Sequence, residues 1–273
     1  MSFQDNGESI AQMHAQTQRN GNLNVLEAVN WGFATAWRNP RVWLLGTILM
    51  FLAVFATLLL AGAAIWGIES LLGRELTFEW PREMELPDGF GPGISLLPLL
   101  ITPFLYAGAL AQVSRAKIGY RDFFHRTHYW KVILVSVVGS VFWAAVEYLF
   151  SAALPADQGT VGDTSLWYNL GVIFGGLIQV VLVILTQLLT LAWTWYVADG
   201  YGIGEAVQQG SAAVWRNFFR LTVLFFVGTL VMILGIVFTF GLGALLLIPA
   251  SLLMTAHLCR QANGGALPEA NRA

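Results

Sequence analysis

Long apolar runs separated by short charged segments dominate the chain. A charged residue at the centre of a membrane helix costs about 2.5 to 3.5 kcal/mol, so gaps between charges mark candidate membrane-spanning helices. Glu147 is the single Asp, Glu, Lys or Arg residue within five such runs, which are 42–68, 89–114, 132–156, 164–198 and 221–259. Since about 20 residues cross the hydrocarbon core, each of the first four runs predicts one crossing.

The fifth run, 221–259, is too long for a single crossing, because it would extend about 58 Å as one helix at 1.5 Å per residue. Glycines in the segment 240–243 tolerate turn dihedrals, so the run predicts two helices joined by a tight turn. The total is six helices. An alternative divides 164–198 at Gly175-Gly176, which gives seven crossings and places the C-terminus outside.

The basic residues indicate the orientation of this six-helix arrangement. Twelve of the fourteen lysine and arginine residues lie in the segments on one side of it. The exceptions, Arg74 and Arg82, lie in the opposite loop 69–88, which is rich in acidic residues. Because positively charged loops remain inside, both termini are predicted to be cytoplasmic.

Composition supports a membrane protein and excludes several other classes. The chain is 56% hydrophobic and only 11% charged, with a mean hydropathy of +0.64, well outside the range of soluble domains. A net charge of -2 argues against nucleic-acid binding, and the single Cys259 cannot form an intrachain disulfide. We expect a disordered cytoplasmic tail over 1–23 without a removable signal peptide, a membrane domain over 24–262 and a cytoplasmic tail over 263–273.

An internal repeat indicates how the six helices are organised. Residues 27–39 read EAVNWGFATAWRN and residues 205–217 read EAVQQGSAAVWRN, which share eight of thirteen positions at an offset of 178 residues. A weaker third copy covers 120–131, where Trp130-Lys131 aligns with Trp37-Arg38. The pattern predicts an all-α integral membrane fold of three helical hairpins, each preceded by an interfacial amphipathic helix.

The first repeat segment has the periodicity of such an interfacial helix. Leu26, Val29, Phe33, Ala36 and Trp37 recur at steps of three and four, which places them on one face. A helix of this kind lies in the headgroup plane, either as a simple anchor or as a site that recognises a lipid headgroup. The expected lipid contacts are the Trp and Arg residues near the ends of the two helices, namely Trp37, Arg38, Arg41, Trp215, Arg216 and Arg220.

The Glu-Ala-Val and Trp-Arg-Asn segments before helix pairs resemble a group of uncharacterised bacterial membrane proteins. These proteins are related to the membrane domain attached to some glycerophosphodiester phosphodiesterases, and the resemblance covers roughly residues 24–262. It implies a six-helix protein of the bacterial inner membrane. It implies no active site, because phosphodiesterase chemistry in such fusions belongs to a separate soluble domain.

The sequence offers little evidence for chemistry. It contains no phosphate-binding Gly-x-x-x-x-Gly-Lys loop, no His-Glu-x-x-His zinc helix and no Gly-x-Ser-x-Gly nucleophile elbow. The nearest approach to a metal site is Asp122, His125 and His128, and the basic residues around it would repel a cation. We therefore predict no catalytic, cofactor or metal residues.

Three residues within the predicted spans are candidates for a functional role. Glu147 is an ionisable residue in a membrane helix and therefore a functional candidate by default, although snorkelling to the outer headgroups or a structural hydrogen bond would also explain it. Pro98 and Pro103 each remove a backbone donor and can kink the second helix. Transporters use broken helices for binding, and ordinary spans also contain proline.

These observations favour a non-catalytic membrane protein that organises, assembles or accompanies other membrane components. The alternative is a transporter of a lipid or small hydrophobic solute, favoured by the repeats, Glu147 and the kinked second helix. A membrane enzyme acting on lipid headgroups has little support, because no set of polar residues converges. Membrane lipids are the expected partners, with other membrane proteins as further candidates.

Overall fold

The computed structural model describes residues 23–71, 90–124, 128–153 and 166–264, and these residues are largely helical with no strand among them. Residues 1–22 and 265–273 of the predicted tails lie outside the described residues, as does most of the loop 69–88. The elements in chain order are α1 Val25–Arg38, α2 Pro40–Leu71, α3 Phe90–Ser114, a 3-10 helix Tyr120–Phe123, α4 Tyr129–Ala153, α5 Leu166–Ala198, α6 Ile203–Arg216, α7 Phe218–Phe238 and α8 Ala244–Ala262.

Five helices of the described chain, α2, α4, α5, α7 and α8, are long and apolar enough to cross a membrane. In α3 the stretch Leu99–Ser114 forms a shorter apolar helix. The long helices coincide with the charge-free runs of the sequence. Because α5 continues without a break through Gly175 and Gly176, the alternative that divides this run is wrong. The sixth crossing and the hairpin pairing stay predictions.

The turn between α7 and α8 lies where the glycines predict it. Gly241 has a φ of 91°, a conformation that glycine adopts without steric cost. Phe240 also has a positive φ, at 52°, which is sterically unfavourable for a residue with a side chain. The Gly243 N–H donates to Thr239 Oγ1 at 2.6 Å, and the Gly241 N–H donates to the Ile236 carbonyl at 2.7 Å. These bonds reverse the chain within five residues, 239–243.

The core consists mainly of α3, α5 and α8, which contact one another at the centre of the bundle. Tyr106 of α3 stacks on Trp195 of α5 with ring centroids 4.0 Å apart, and Leu253 of α8 is fully buried. In contrast, no residue of α7 is buried. In α2, no described side chain that follows Thr47 in the sequence is buried. Two long apolar helices therefore stand at the periphery of the bundle.

The short helices form a layer at one end of the bundle. α1 packs on α8, the 3-10 helix packs on α3, and α6 packs on α5. The 3-10 helix and α6 thus each contact the long helix that directly precedes them in the sequence. The first short helix, α1, contacts α8, the last helix of the described chain. This layer ties together segments that are far apart in sequence.

The two repeat segments make these contacts through small residues at equivalent positions. Ala28 and Gly32 of α1 are buried, as are Ala206 and Gly210 of α6. A methyl group added at Gly32 would lie 2.7 Å from the Ala250 carbonyl oxygen of α8, and one at Gly210 would lie 3.1 Å from Trp193 of α5. The glycines therefore permit close helix approach.

One detail of the predicted amphipathic face of α1 is wrong. Ala36 was grouped with Leu26, Phe33 and Trp37, but it is completely buried, whereas those three large side chains are exposed. The reason is that α1 presents two apolar faces. Its small residues and Trp31, whose ring lies against His257, pack on α8, while Leu26, Phe33 and Trp37 point away from the bundle.

Candidate functional site

A cleft of about 550 Å³ lies between α3, α4 and α5. Most of its exposed lining is apolar, and we call it the polar cleft for the hydrogen-bonding side chains that it contains. Seven of its eleven lining side chains carry a hydrogen-bonding group. These seven are Thr102, Tyr106, Ser136, Ser140, Gln187, Thr190 and Thr194. Such a set is unusual within otherwise apolar helices, because every polar group removed from water needs a partner.

Helical spacing brings the cleft residues onto matching faces. The α3 pair and the α4 pair are each four residues apart, and the three α5 residues follow at steps of three and four, so each set shares one side of its helix. Gly139 lets α4 approach α5 closely: a methyl group there would lie 2.9 Å from the Thr190 hydroxyl oxygen and 3.0 Å from Thr190 Cβ. The glycine thus makes room for Thr190 at the wall of the cleft.

Three hydroxyl groups of the cleft have hydrogen-bond partners within the protein. The Thr194 hydroxyl donates to the Thr190 carbonyl at 2.9 Å, the Ser140 hydroxyl donates to the Ser136 carbonyl at 2.9 Å, and Tyr106 shares a side-chain hydrogen bond with Thr194. The Thr190 hydroxyl oxygen differs, because it is buried and has no partner among the described residues. A buried hydroxyl in this state costs about 1 to 3 kcal/mol.

The lining of the cleft is electrically neutral. None of its eleven lining residues, all within the described part of the chain, is Asp, Glu, Lys, Arg or His. A charged ligand group would therefore lack a counter-charge in the cleft. The arrangement can hold an uncharged group that both donates and accepts hydrogen bonds.

Neither Glu147 nor Pro103 lines this cleft. Glu147 lies on the exposed surface of α4, seven residues beyond Ser140. Pro103 is buried in α3 beside the cleft residue Thr102, and α3 remains helical through Pro98 and Pro103. The surroundings of the Pro98 side chain lie outside the described residues.

The predicted lipid contacts lie on the surface of the layer of short helices. Trp37 and Trp215 are 68% and 61% exposed, and all four arginines of the set, Arg38, Arg41, Arg216 and Arg220, are exposed. Arg220 has a second contact, because its Nη1 donates to the Leu23 carbonyl at 3.3 Å. It lies beside an apolar groove of about 880 Å³ between α1 and α7.

Buried amide side chains connect this layer, and the sequence analysis missed them. Gln112 Oε1 of α3 accepts from Trp43 Nε1 at 3.2 Å and from Asn39 Nδ2 at 3.3 Å. Asn39 also donates to the Ile118 carbonyl, just before the 3-10 helix. The last residue of the first repeat segment therefore fixes the start of the next short helix.

The second repeat segment ends in a similar arrangement. Asn217 is buried, and its Oδ1 accepts from the Leu23 N–H at 3.1 Å. Gln261 Oε1 of α8 accepts from the Asn24 N–H at 2.7 Å. The first bond joins the start of α1 to the end of α6, and the second joins it to α8, 237 residues away in sequence. The shared final Asn of the two segments was the available sequence signal.

An ion pair outside the long apolar stretches links α5 to α8. Arg260 Nη2 lies 3.1 Å from Asp199 Oδ1, and Asn263 Nδ2 donates to Asp199 Oδ2 at 3.1 Å. Burial raises the pKa of Asp199 above its usual value, while Arg260 and the Asn263 hydrogen bond oppose that rise. In the weak metal set, Asp122 instead pairs with Arg115 at 2.9 Å, and His125 lies outside the described residues.

The cleft and the layer of short helices are thus the two candidate functional sites of the described chain. The resemblance to the phosphodiesterase-associated membrane domain stays a prediction. No family model, no curated protein and no solved structure matches this chain.

Proposed function

We propose that this chain is a non-catalytic, six-crossing protein of the bacterial inner membrane, with both termini in the cytoplasm, that organises or accompanies other membrane components. The observation that carries the proposal is the pair of peripheral helices α2 and α7. Both are long and apolar, and both join the bundle mainly through α8 and the short helix before them. Their remaining surface is available to lipid or to another membrane protein.

The exposed apolar surface of α7 favours a location within the membrane. A helix that is apolar on every side is stable in an apolar environment, and no residue of α7 is buried by its own chain. Leaving such a surface in water would cost about 25 cal/mol per Å². Membrane insertion removes that cost, and helix association within the membrane then depends on packing and polar contacts.

The layer of short helices suits the cytoplasmic boundary of the membrane. Trp37 precedes Arg38 at the end of α1, Trp215 precedes Arg216 at the end of α6, and all four side chains are exposed. Tryptophan favours the membrane interface, and arginine favours the phosphate level. In this proposal α1 and α6 lie along the inner surface and hold lipid headgroups there.

Site-specific photo-cross-linking tests the organising role. A photoreactive amino acid at Leu52 of α2 or Leu230 of α7, which are 58% and 55% exposed, should give a protein adduct of defined mass in native membranes. The same protein should co-purify stoichiometrically in mild detergent. The buried Val113 is the matched control and should give no adduct to another protein. Adducts to lipid alone at both exposed positions would contradict an organising role.

The polar cleft favours the second candidate, a transporter of a lipid or small hydrophobic solute. Proteoliposomes test it by the rate at which a fluorescent lipid moves between leaflets. Faster movement that is lost on filling the cleft with Ser136→Leu, at a lining position, would support transport. Movement no faster than in empty liposomes would exclude that lipid as a transported substrate.

A further inference from the structure

The hydroxyl of Thr190 is the strongest local indication of a ligand. The hydroxyls of Thr47 and Thr57 bond to the carbonyl four residues earlier, at 2.7 and 2.8 Å. Thr222 of α7 has a buried hydroxyl without a described partner, as Thr190 does, but Thr222 does not line the cleft. The Thr190 hydroxyl is buried without any partner among the described residues. Thr190 lines the cleft, so rotation of its side chain away from Gly139 would bring the hydroxyl to a group bound there.

The depth of the cleft adds an independent argument, which rests on the proposed membrane insertion. Gln187 lies eleven residues before the end of α5 and Ser140 eleven residues after the start of α4. Both lie about 16 Å from those helix ends, close to the middle of a hydrocarbon core about 30 Å thick. Both residues are nevertheless exposed. A polar side chain at that depth requires a polar partner. Ser140 has one in the Ser136 carbonyl, so Gln187 is the exposed side chain that a ligand would satisfy.

The chemistry of the lining indicates the class of ligand. The cleft has no acidic, basic or histidine side chain among its described lining residues, so it disfavours a charged headgroup. Its polar wall continues onto the exposed apolar residues Val137, Val141 and Leu191, which are 40%, 64% and 40% exposed. A volume of about 550 Å³ accommodates the polar part of a small amphiphile.

We propose that the cleft between α3, α4 and α5 binds the uncharged, hydroxyl-bearing end of a membrane amphiphile. Thr190 and Gln187 hydrogen-bond to its hydroxyl and carbonyl groups. Its apolar chains leave the cleft beside α4 and α5. A diacylglycerol has this chemistry and serves as the probe, because it combines one hydroxyl and two ester carbonyls with apolar chains and carries no charge.

Photolabelling of the full-length protein in phosphatidylcholine nanodiscs tests the assignment. A diazirine-tagged diacylglycerol should form an adduct that maps to α4 or α5. Excess unlabelled diacylglycerol should suppress it, whereas phosphatidic acid with the same chains and free glycerol should not. Equal suppression by phosphatidic acid would contradict a neutral site. Suppression by glycerol alone would assign the cleft to a free polyol and overturn the amphiphile.

Paired variants test the role of the hydroxyl. Thr190→Val preserves the shape of the side chain and removes the hydroxyl, and it should reduce labelling about fivefold, the effect of one neutral hydrogen bond. Gln187→Leu should reduce it by a similar factor. Thr57→Val on the exposed face of α2 is the control and should label like the wild type. Labelling of Thr190→Val equal to that of Thr57→Val would overturn the proposal.

The same samples separate this inference from the proposed function. Membranes that contain the wild-type protein are washed with alkaline carbonate before purification. Release of the protein by the wash would refute membrane insertion and with it the proposed function. Retention with labelling that no cleft variant changes would refute the ligand site alone.

Discussion

Single glycines determine where the helices of this bundle meet. Gly32, Gly139 and Gly210 lie at close contacts between helices, whereas Gly46 and Gly228 face open space. Replacing a helical glycine with alanine can therefore raise the stability of the protein at one position and lower it at another. In open space alanine favours the helix by about 0.5 to 1 kcal/mol, and at a close contact it forces the helices apart.

Gly139→Ala should destabilise the protein by about 1 to 3 kcal/mol, because the added methyl group overlaps Thr190 and overpacking has costs of this size. Gly228→Ala on α7 is the matched control and should leave the melting temperature unchanged or raise it. Thermal unfolding of the purified variants in one detergent measures the difference. Equal melting temperatures for the two variants would show that α4 and α5 do not touch at Gly139.

Glu147→Gln should leave abundance, insertion and function intact. Glu147 is exposed on α4 and does not line the polar cleft, so its charge is expected to reach the outer headgroups. Expression level and growth of a complemented deletion strain measure the outcome. A stable, inserted variant with a null phenotype would instead indicate proton coupling, since the amide cannot exchange a proton.

At the scale of elements, the short helices depend on buried amides. Asn217 accepts from the Leu23 N–H and donates to the Ala213 carbonyl at 3.1 Å, so it joins the start of α1 to the end of α6. Asn217→Ala should cost about 1 to 3 kcal/mol, because the Leu23 N–H loses a buried partner. Hydrogen exchange over 23–28 should accelerate. Asn30→Ala, at an exposed position of α1, should not change it, and equal protection in both variants would refute the role of Asn217.

The Asp199–Arg260 pair predicts a definite sign of pH dependence. Because burial raises the pKa of Asp199 above 3.8 in the folded state, the folded protein binds a proton more readily than the unfolded chain. The contribution of Asp199 to the free energy of unfolding therefore increases as the pH falls from above its raised folded-state pKa to its unfolded-state pKa of about 3.8. Asp199→Asn should remove this contribution, which is read from melting temperature against pH. An unchanged pH profile would contradict the buried state of the carboxyl group.

The sequence predicted the long elements well, because their signals are local. Charge-free runs located the long helices, and the glycines near Gly241 located the turn between α7 and α8. The cleft was not predictable in the same way. Its residues are uncharged, and Thr102, Ser136 and Gln187 come from three helices, so only tertiary packing brings them together. The two apolar faces of α1 likewise depend on where α8 packs.

At the scale of the molecule, three features carry the proposed functions: the closed layer of short helices, the peripheral apolar helices α2 and α7, and the polar cleft. All three acquire their proposed roles from one arrangement: the layer lies at the cytoplasmic boundary, the peripheral helices face the membrane interior, and the cleft lies at its middle depth. If the protein is not oriented in the membrane in this way, neither the proposed lipid contacts nor the proposed ligand site is supported.

Cysteine accessibility in a Cys259→Ser background tests that arrangement most directly. Glu85→Cys in the predicted outer loop should react with a membrane-impermeant maleimide in intact cells. Gly119→Cys, in the exposed segment before the 3-10 helix, should react only after the membrane is permeabilised. This result would place the layer of short helices in the cytoplasm. Labelling of Gly119→Cys in intact cells would contradict the topology and the account built on it.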